Sequence, residues 1–328
     1  MNDRLPTALD QALAAAVRAP SPHNTQPWRF VVDGGAVEVW LDRDRVLAVA
    51  DPAAREARVS CGAAVLNLVI TLRVNGLGAR VRILPAPASP DLLAVVGLDG
   101  TRRSTEQDRR LAEAVHRRHT NRRPFADRAV PAVARARLKS AALTEGGQLE
   151  FLDASGRYPR VAALVRRAES LQSEDPAFRA ESAFWTGRAA ESPDGVPTVA
   201  FGPPHEIPGV VCHRASHTNP AVPSREFEQD PLLAVVLTRD HGAAADVRAG
   251  MAMQRVLLTA TAEGLATSFL SQPLEVHGTR REFLDLFRGL GQVHALLRIG
   301  YGHPTRMTSR RAAAEVTTHR AEPDVPAC

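Results

Sequence analysis

The polar side chains between residues 19 and 30 are of types and spacing that suit a ligand site. The segment reads Ala-Pro-Ser-Pro-His-Asn-Thr-Gln-Pro-Trp-Arg-Phe and includes Ser21, Asn24 and Gln26. Hydroxyl and amide groups can hydrogen-bond the carbonyls and nitrogens of a flat heteroaromatic ring, and prolines hold such a loop rigid at low entropic cost. The prolines are Pro20, Pro22 and Pro27. The alternative interpretation is an Asx-type turn that leads into a strand, with Trp28 in the core.

A second polar segment, residues 116–125, reads His-Arg-Arg-His-Thr-Asn-Arg-Arg-Pro-Phe. Guanidinium groups bind phosphate oxygens in pairs, and a hydroxyl group with backbone amides can satisfy the remaining acceptors. The segment therefore predicts an anion site that suits a terminal phosphomonoester. The alternative is a solvated basic face, because nearly all basic residues of this chain are arginines and Lys139 is its single lysine.

Other cofactor and partner signatures are weak or missing from the sequence. It has neither the Gly-x-Gly-x-x-Gly motif of dinucleotide-binding folds nor a P-loop. Cys212, His213 and His217 lie within six residues, but zinc needs a fourth ligand or water and a rigid frame, so we expect no metal site. The net charge is +5, yet no basic stripe alternates with aromatic residues, so we expect no nucleic-acid partner.

Two similar segments indicate an internal repeat of one α+β unit. The segments Gly62–Gly76 and Gly250–Gly264 each place two glycines fourteen residues apart, and each ends on a Gly-Leu pair. Apolar residues cover most faces of both segments, and a Gly-Leu pair suits a left-handed helix stop. We therefore predict two buried helices, one in each half of the chain.

Strand and connector signals surround these two helices. Gly34-Gly35 predicts a tight hairpin between strands at Arg29–Asp33 and Ala36–Leu41. Helices are predicted at Leu9–Arg18, at Thr105–Arg118 and at Val130–Leu143, the last two joining the halves. Further strands are predicted at Arg80–Leu84, Leu92–Leu98, Ala266–Leu270 and His294–Ile299.

A proline-rich stretch from about residue 187 to 231 has a different composition. Its prolines and glycines exclude long regular elements, and irregular stretches of this length are either covers of functional sites or linkers. Apolar residues such as Phe184, Trp185 and Phe227 would be wasted in a linker. We therefore predict a packed, lid-like insertion at 187–231.

Composition and termini point to a cytoplasmic protein. Hydrophobic residues make up 44% of the chain and charged residues 23%, and no apolar run approaches the roughly 20 residues that span a bilayer. The N-terminal segment has no signal-peptide pattern, and three scattered cysteines form no disulfide framework. We expect no membrane association and a reducing compartment.

Taken together, these segments resemble the nitroreductase superfamily of FMN-dependent enzymes. The Ser-Pro-His-Asn-Thr-Gln-Pro-Trp run is similar to that family's loop at the flavin ring, which implies ring contacts from Pro20, Ser21, Asn24 and Gln26. The Arg118-to-Arg122 run resembles its phosphate element, and Ser271-Gln272 its turn beside the ring. By the same resemblance, the cofactor-binding residues of the second half are Arg118, His119, Thr120, Arg122, Ser271, Gln272 and Arg310.

Three runs, at residues 118–125, 227–231 and 272–276, resemble the double-length Acg-like branch of this superfamily, in which two nitroreductase units are fused. The resemblance implies an α+β fold of two repeats, 1–110 and 111–328, that form an internal pseudo-dimer able to act as a monomer. The chain contains one ring loop and one phosphate element, whereas a homodimer has two of each. We therefore predict one FMN per chain.

Two functions follow from the resemblance. In the first, FMN passes hydride from NAD(P)H to a small-molecule acceptor, a nitroaromatic, quinone or enone, and Arg122 supplies positive charge near the ring. No catalytic protein residue is required. In the second, the protein stores or sequesters flavin, because a lid over the site blocks donor and acceptor.

Overall fold

The computed structural model describes residues 4–152, 156–197, 200, 206–207, 211–212, 231–303 and 305–320. Its helices and strands confirm the predicted α+β class. The helices are α1 (Arg4–Ala16), α2 (Arg55–Val74), α3 (Glu106–Arg117), α4 (Ala132–Thr144), α5 (Tyr158–Glu174), α6 (Pro176–Thr186), α7 (Ala243–Ala262), α8 (Gln272–Glu275) and α9 (His277–Asp285). The strands are β1 (Trp28–Asp33), β2 (Ala36–Leu41), β3 (Leu77–Ile83), β4 (Leu92–Thr101), β5 (Phe125–Ala126), β6 (Gln148–Phe151), β7 (Glu206–Ile207), β8 (Val211–Cys212), β9 (Leu232–Thr238), β10 (Ala266–Phe269), β11 (Gln292–Gly302) and β12 (Thr317–His319).

The first sheet has the strand order β12-β1-β2-β4-β3. Strands β1 and β2 form the hairpin expected at Gly34-Gly35, where both glycines have positive φ angles of 53° and 95°. Strand β12 comes from the far end of the chain and pairs in parallel with β1, so that Phe30 lies opposite Thr317. The first sheet is therefore completed by residues of the second half.

The second sheet has the order β10-β11-β9-β6, with the short β5 also paired to β11. Numbered within each half, the four main strands of both sheets follow the order 1-2-4-3. In each half a long helix, α2 or α7, connects the second of these strands to the third. The two halves thus share one topology, and it places α2 and α7 together in the core.

Helices α2 and α7 cross at two glycines that face each other. A Cβ atom built on Gly62 would lie 2.0 Å from the carbonyl oxygen of Val247, and one on Gly250 would lie 2.0 Å from that of Val59. The two helix backbones are therefore in direct contact, and only glycine fits at either position.

Helix α2 is also long and apolar enough to cross a membrane by length and composition alone, contrary to the expectation that no apolar run approaches that length. It is 83% buried inside the protein over the relevant window. Residues Ser60 to Leu72 are all buried, and α1, α3 and α7 pack around them. Its apolar character is that of a core helix.

The predicted elements overlap observed ones, but their bounds differ and others were not predicted. Helices α2 and α7 begin seven residues before Gly62 and Gly250, and α1 begins five residues before Leu9. No prediction covered β5, β9, α8, α9 or β12. Helix α1 ends two residues before Arg18, and Thr105 forms a capping box with Asp108 and so precedes α3 rather than belonging to it. No elements were predicted for residues 148–186, which form β6, α5 and α6. Part of the predicted insertion, together with Phe227, lies outside the described residues.

Candidate functional site

A large cavity opens between the two halves and encloses about 1060 Å³, part of it continuous with solvent. We call it the central cavity. It brings together residues of all three predicted segments: Pro20 and Ser21, Thr120 and Arg122, and Ser271 and Gln272.

The loop that carries Pro20 and Ser21 has a strained backbone. His23, Asn24 and Gln26 have positive φ angles of 46°, 58° and 55°, a region that residues other than glycine rarely occupy. The Ser21 hydroxyl oxygen accepts a 2.9 Å hydrogen bond from the Gln26 amide and ties the loop across itself. Strain of this kind is found mainly at functional sites, and here it holds Ser21 and His23 at the cavity wall.

The side chains of Asn24 and Gln26 are buried and bind protein backbone rather than the central cavity. Asn24 Nδ2 donates to the carbonyl oxygens of Gly195 at 3.0 Å and Ser309 at 3.1 Å. Gln26 Nε2 donates to Pro193, and Gln26 Oε1 accepts from the amide of Arg311. The family resemblance implies that both side-chain amides contact a flavin ring. In the structure they hold residues 193–195 and 309–311 onto the loop, because those segments bring unsatisfied backbone groups beside it.

Four arginines lie close to one another, and one of them, Arg122, lines the central cavity. Arg118 Nη2 donates to the Arg18 carbonyl oxygen at 2.9 Å, and Arg310 Nη2 donates to that of Ala19 at 3.2 Å, so both guanidinium groups lie at the start of the ring loop. Burial, followed by the charges of Arg18 and Arg122, lowers the pKa of Arg118 to about 10. Burial and the charges of the other three arginines lower the pKa of Arg310 well below its ordinary value.

This arginine cluster (Arg18, Arg118, Arg122 and Arg310) has unused hydrogen-bonding capacity. The Nε atoms of Arg18, Arg118 and Arg310 are buried without a hydrogen-bond partner in the described protein. Across the same described ranges, no salt bridge joins these three residues to a carboxylate. Arg18, Arg118 and Arg310 therefore form a candidate anion site, because guanidinium charges that lie close together without a carboxylate repel one another and are stabilised by an anion.

A buried arginine, Arg298, positions the segment 118–122, which resembles the phosphate element of the family. Arg298 is fully buried and stacks 4.0 Å from the Phe125 ring, and its Nη2 donates to the carbonyl oxygens of Asn121 and Arg123. The Asn121 amide donates to Thr267 of β10. These contacts orient Thr120 and Arg122 toward the central cavity. His119 does not line it, and its Nδ1 lies 2.9 Å from the Arg117 carbonyl oxygen.

The opposite wall is formed by the turn after β10. Gln272 lines the cavity with a buried Oε1 that has no hydrogen-bond partner in the part of the chain described. Ser271 donates a 2.5 Å hydrogen bond to Glu275, which Gln172 also contacts. An unpaired amide oxygen at a cavity wall is a ready acceptor for a ring N–H group.

Sequence reasoning missed three residues of the site, namely Arg18, Glu56 and Glu275. Arg18 directly precedes the ring loop, and that position was the available signal for it. Glu56 lines the cavity together with Val59 and Ser60, which lie one helical turn along α2. No local motif distinguishes Glu56 or Glu275 from a surface glutamate. The predicted absence of metal was argued from Cys212–His217, whose side chains lie outside the described residues.

Comparison with known proteins places the chain in a family. A Mycobacterium tuberculosis protein named "Putative NAD(P)H nitroreductase acg" is 32% identical over 320 residues, which cover 96% of this chain and 96% of the relative. This chain belongs to the nitroreductase family. A second M. tuberculosis relative, whose name also begins "Putative NAD(P)H nitroreductase", is 33% identical over 327 residues and covers 96% of this chain and 93% of its own.

Structural similarity adds nothing to this assignment. The crystal structure of a nitroreductase with bound FMN from Desulfitobacterium hafniense DCB-2 is 13% identical, covers 64% of this nitroreductase-family chain and 97% of its own, and superposes with a TM-score of 0.41. That similarity is too low to support any inference. No protein-family model matches the chain.

The described start of the insertion is latched to the ring loop by an ion pair. Arg45 donates to Asp194 at 2.5 Å and to the Thr25 carbonyl oxygen, and Val196 of the same segment lines the central cavity. Burial alone would raise the pKa of Asp194, but the hydrogen bond and charge of Arg45, helped by Arg188, hold it below its ordinary value. The latch is therefore intact above pH ~4 and weakens as the pH falls through the lowered pKa.

We expect Asp194→Asn to open this segment at pH 7. Losing one charge-assisted hydrogen bond costs about 1–2 kcal/mol of local stability, so limited proteolysis near residue 194 should become about 5- to 30-fold faster. Asp99→Asn, which removes an exposed ion pair with Arg80, is the control and should change nothing. Equal cleavage rates in both variants would show that Asp194 does not hold the segment.

Proposed function

We propose that this protein binds FMN in the central cavity and passes hydride from NAD(P)H to a small organic acceptor, a nitroaromatic, quinone or enone. The observation that carries the proposal is the arginine cluster beside a cavity lined by the ring loop and the turn after β10, in which Arg18, Arg118 and Arg310 have unpaired Nε atoms and no carboxylate partner within the described residues. A dianionic phosphate next to a flat ring matches that arrangement of charge and shape. The names of the relatives support the same reaction.

The residues present fit FMN on the chemistry of their free groups. The Nε atoms of Arg18, Arg118 and Arg310 are unpaired donors for phosphate oxygens, and Thr120 lines the cavity. Ser21 and Gln272 would meet the ring. Bound flavin supplies two-electron redox chemistry, and the protein holds and tunes it. Arg122 at the cavity wall favours negative charge on the ring.

We propose that the halves 1–110 and 111–328 act as one pseudo-dimer with a single flavin. The ring loop belongs to the first half, the phosphate element and Arg310 belong to the second, and β12 ties the second half to the first sheet. We further propose that the unit acts as a monomer in the cytoplasm, where its one described thiol, Cys61, stays buried and reduced.

A stoichiometry measurement tests the proposal. We expect one FMN per chain when flavin released by denaturation is compared with protein concentration, because one combination of segments supplies both cations and ring contacts. A ratio near two would contradict the single shared site. A ratio near zero after reconstitution with FMN would remove the flavin function altogether.

A flavin-sequestering function is the second candidate. It is favoured by the contact of residues 193–196, the latched segment, with the ring loop. Anaerobic addition of NAD(P)H separates the two. Rapid bleaching of the yellow protein supports the oxidoreductase, whereas tightly held flavin that NAD(P)H does not bleach supports sequestration. The Asp194→Asn variant makes the comparison sharper. Bleaching that appears only in this variant would show that the latched segment keeps NAD(P)H from the flavin.

A further inference from the structure

A small charged cavity adjoins the central cavity, and Glu56 lines both of them. The small cavity encloses about 350 Å³, part of it open to solvent. It is large and polar enough for water. Besides Glu56, the charged and titratable residues that line it are Asp51, Arg55, Asp246, Arg280 and His294. Glu56 is therefore the carboxyl group at the boundary between the proposed flavin site and a polar compartment.

The Glu56 carboxyl group has no hydrogen-bond donor among the described residues. At the start of a helix, free backbone amides would normally stabilise a carboxylate. Here Asp51 takes them, because its two oxygens accept from the Arg55 amide at 2.8 Å and the Ala57 amide at 2.9 Å. The nearest acidic neighbour in the central cavity, Glu275, is itself bonded to Ser271 and Gln172.

These surroundings favour the protonated form of Glu56. Burial raises its pKa well above the ordinary glutamate range, and the charges of Glu275 and Asp51 raise it further. Arg280 and Arg55 act in the opposite direction without outweighing burial. The remaining titratable neighbour, His294, is held between Asp246 at 3.1 Å and Thr238 at 2.7 Å. Glu56 thus carries a proton at pH values where an exposed glutamate has lost its own.

We propose that Glu56 donates the proton that accompanies hydride transfer to an acceptor bound in the central cavity. The inference rests on the proposed oxidoreductase function. A quinone, for example, gains a hydride from reduced FMN, itself reduced by NAD(P)H, and a proton from Glu56, and leaves as the hydroquinone. The Glu56 carboxylate then regains its proton from solvent through the small cavity. The acceptors favoured are those whose reduced form is a basic oxyanion or carbanion until protonated.

The test separates the two half-reactions of the FMN-loaded protein by anaerobic stopped flow. In Glu56→Gln, which keeps the shape and removes the acidic proton, reduction by NADPH should be unchanged. Reoxidation by p-benzoquinone should slow by about 100-fold or more, as is typical when a general acid is lost. Reoxidation by ferricyanide, which takes up electrons without protons, should be unchanged. Glu113→Gln, an exposed carboxyl group on α3, is the matched control.

A readout that does not depend on turnover is the infrared band of a protonated carboxyl group at neutral pH. We expect the band in the wild type and in Glu113→Gln, and its loss in Glu56→Gln. Glu275→Gln removes a charge that raises the Glu56 pKa and should shift the band's titration to lower pH.

Each outcome has one meaning. Selective slowing with quinone together with loss of the band supports the inference. Normal bleaching with unchanged quinone reoxidation in Glu56→Gln overturns it and leaves the proposed function standing. Failure of the wild type to bind FMN or to bleach with NADPH overturns the proposed function, and the inference with it.

Discussion

Arg118→Met is expected to lower FMN affinity by about 10- to 100-fold while leaving the flavin-free protein at least as stable as the wild type. The affinity falls because one charge-assisted phosphate contact contributes about 1.5–3 kcal/mol. Stability does not fall, because the lowered pKa means that the charged guanidinium group is less favourable in the folded chain than in the unfolded chain. This cost to folding is present in full at every pH below about 10. For the same reason, wild-type stability rises as pH increases through that value.

Fluorescence titration with FMN and urea unfolding of the flavin-free protein measure the two effects. Arg82→Met, an exposed arginine on β3 outside the cluster, is the control and should alter neither. A parallel loss of affinity and stability in Arg118→Met would assign this arginine a structural role. Equal affinities in all the proteins would mean that the cluster does not hold the phosphate.

Gly250→Ala is expected to destabilise the whole chain by about 3 kcal/mol or more. The added Cβ would lie 2.0 Å from the Val59 carbonyl oxygen and 2.9 Å from the Gly62 Cα. Both contacts are with backbone, so relief requires α2 and α7 to move apart along a buried interface, and overpacked cores lose stability at this scale or above it.

Gly278→Ala in α9 is the matched control, because nothing lies within 4 Å of its Cβ position. It should be neutral or stabilising by up to about 1 kcal/mol, as alanine favours helices over glycine. Urea midpoints of the two variants decide the matter, and insoluble expression of Gly250→Ala beside soluble Gly278→Ala gives the same answer. A difference under about 0.5 kcal/mol would mean that the helix crossing is adjustable.

Local signals predicted the elements that local chemistry determines. The Gly34-Gly35 pair placed the β1–β2 hairpin at its observed position, and the fourteen-residue glycine spacing located the two core helices. The helices α5 and α6 were not predicted, although Asp175 caps α6 and a proline stands in the first turn of each helix, which are available start signals. Their half-buried faces are defined by what they pack against, such as the contact of Phe178 and Trp185 with the Leu47 region.

Residues of the candidate site could be predicted where one short segment carries several of them. They were missed where distant segments of the chain each supply one residue. The arginines of residues 118–122 form a run in the sequence. Arg18 lies one hundred residues before Arg118 and meets it only in the folded chain, where Arg118 donates to its carbonyl oxygen. Asn24 and Gln26 are of types that suit a ring, but competition from the backbone at 193–195 and 309–311 cannot be read from local sequence. Glu56 has no motif, because its protonation follows from burial and from Asp51 taking the helix amides.

The parallel pairing of β12 with β1 has a consequence for the order of assembly. Residues 309–319 complete the first sheet, bring Arg310 to the cluster, accept a hydrogen bond from Asn24 Nδ2 and donate one to Gln26 Oε1. The ribosome reaches this segment after all the other described elements. The edge of β1 therefore stays unpaired throughout most of synthesis, a state prone to aggregation. If FMN binds as proposed, the complete arginine cluster is available to it only after residue 310 has been synthesised, so a bound flavin would mark chains whose translation has passed that residue.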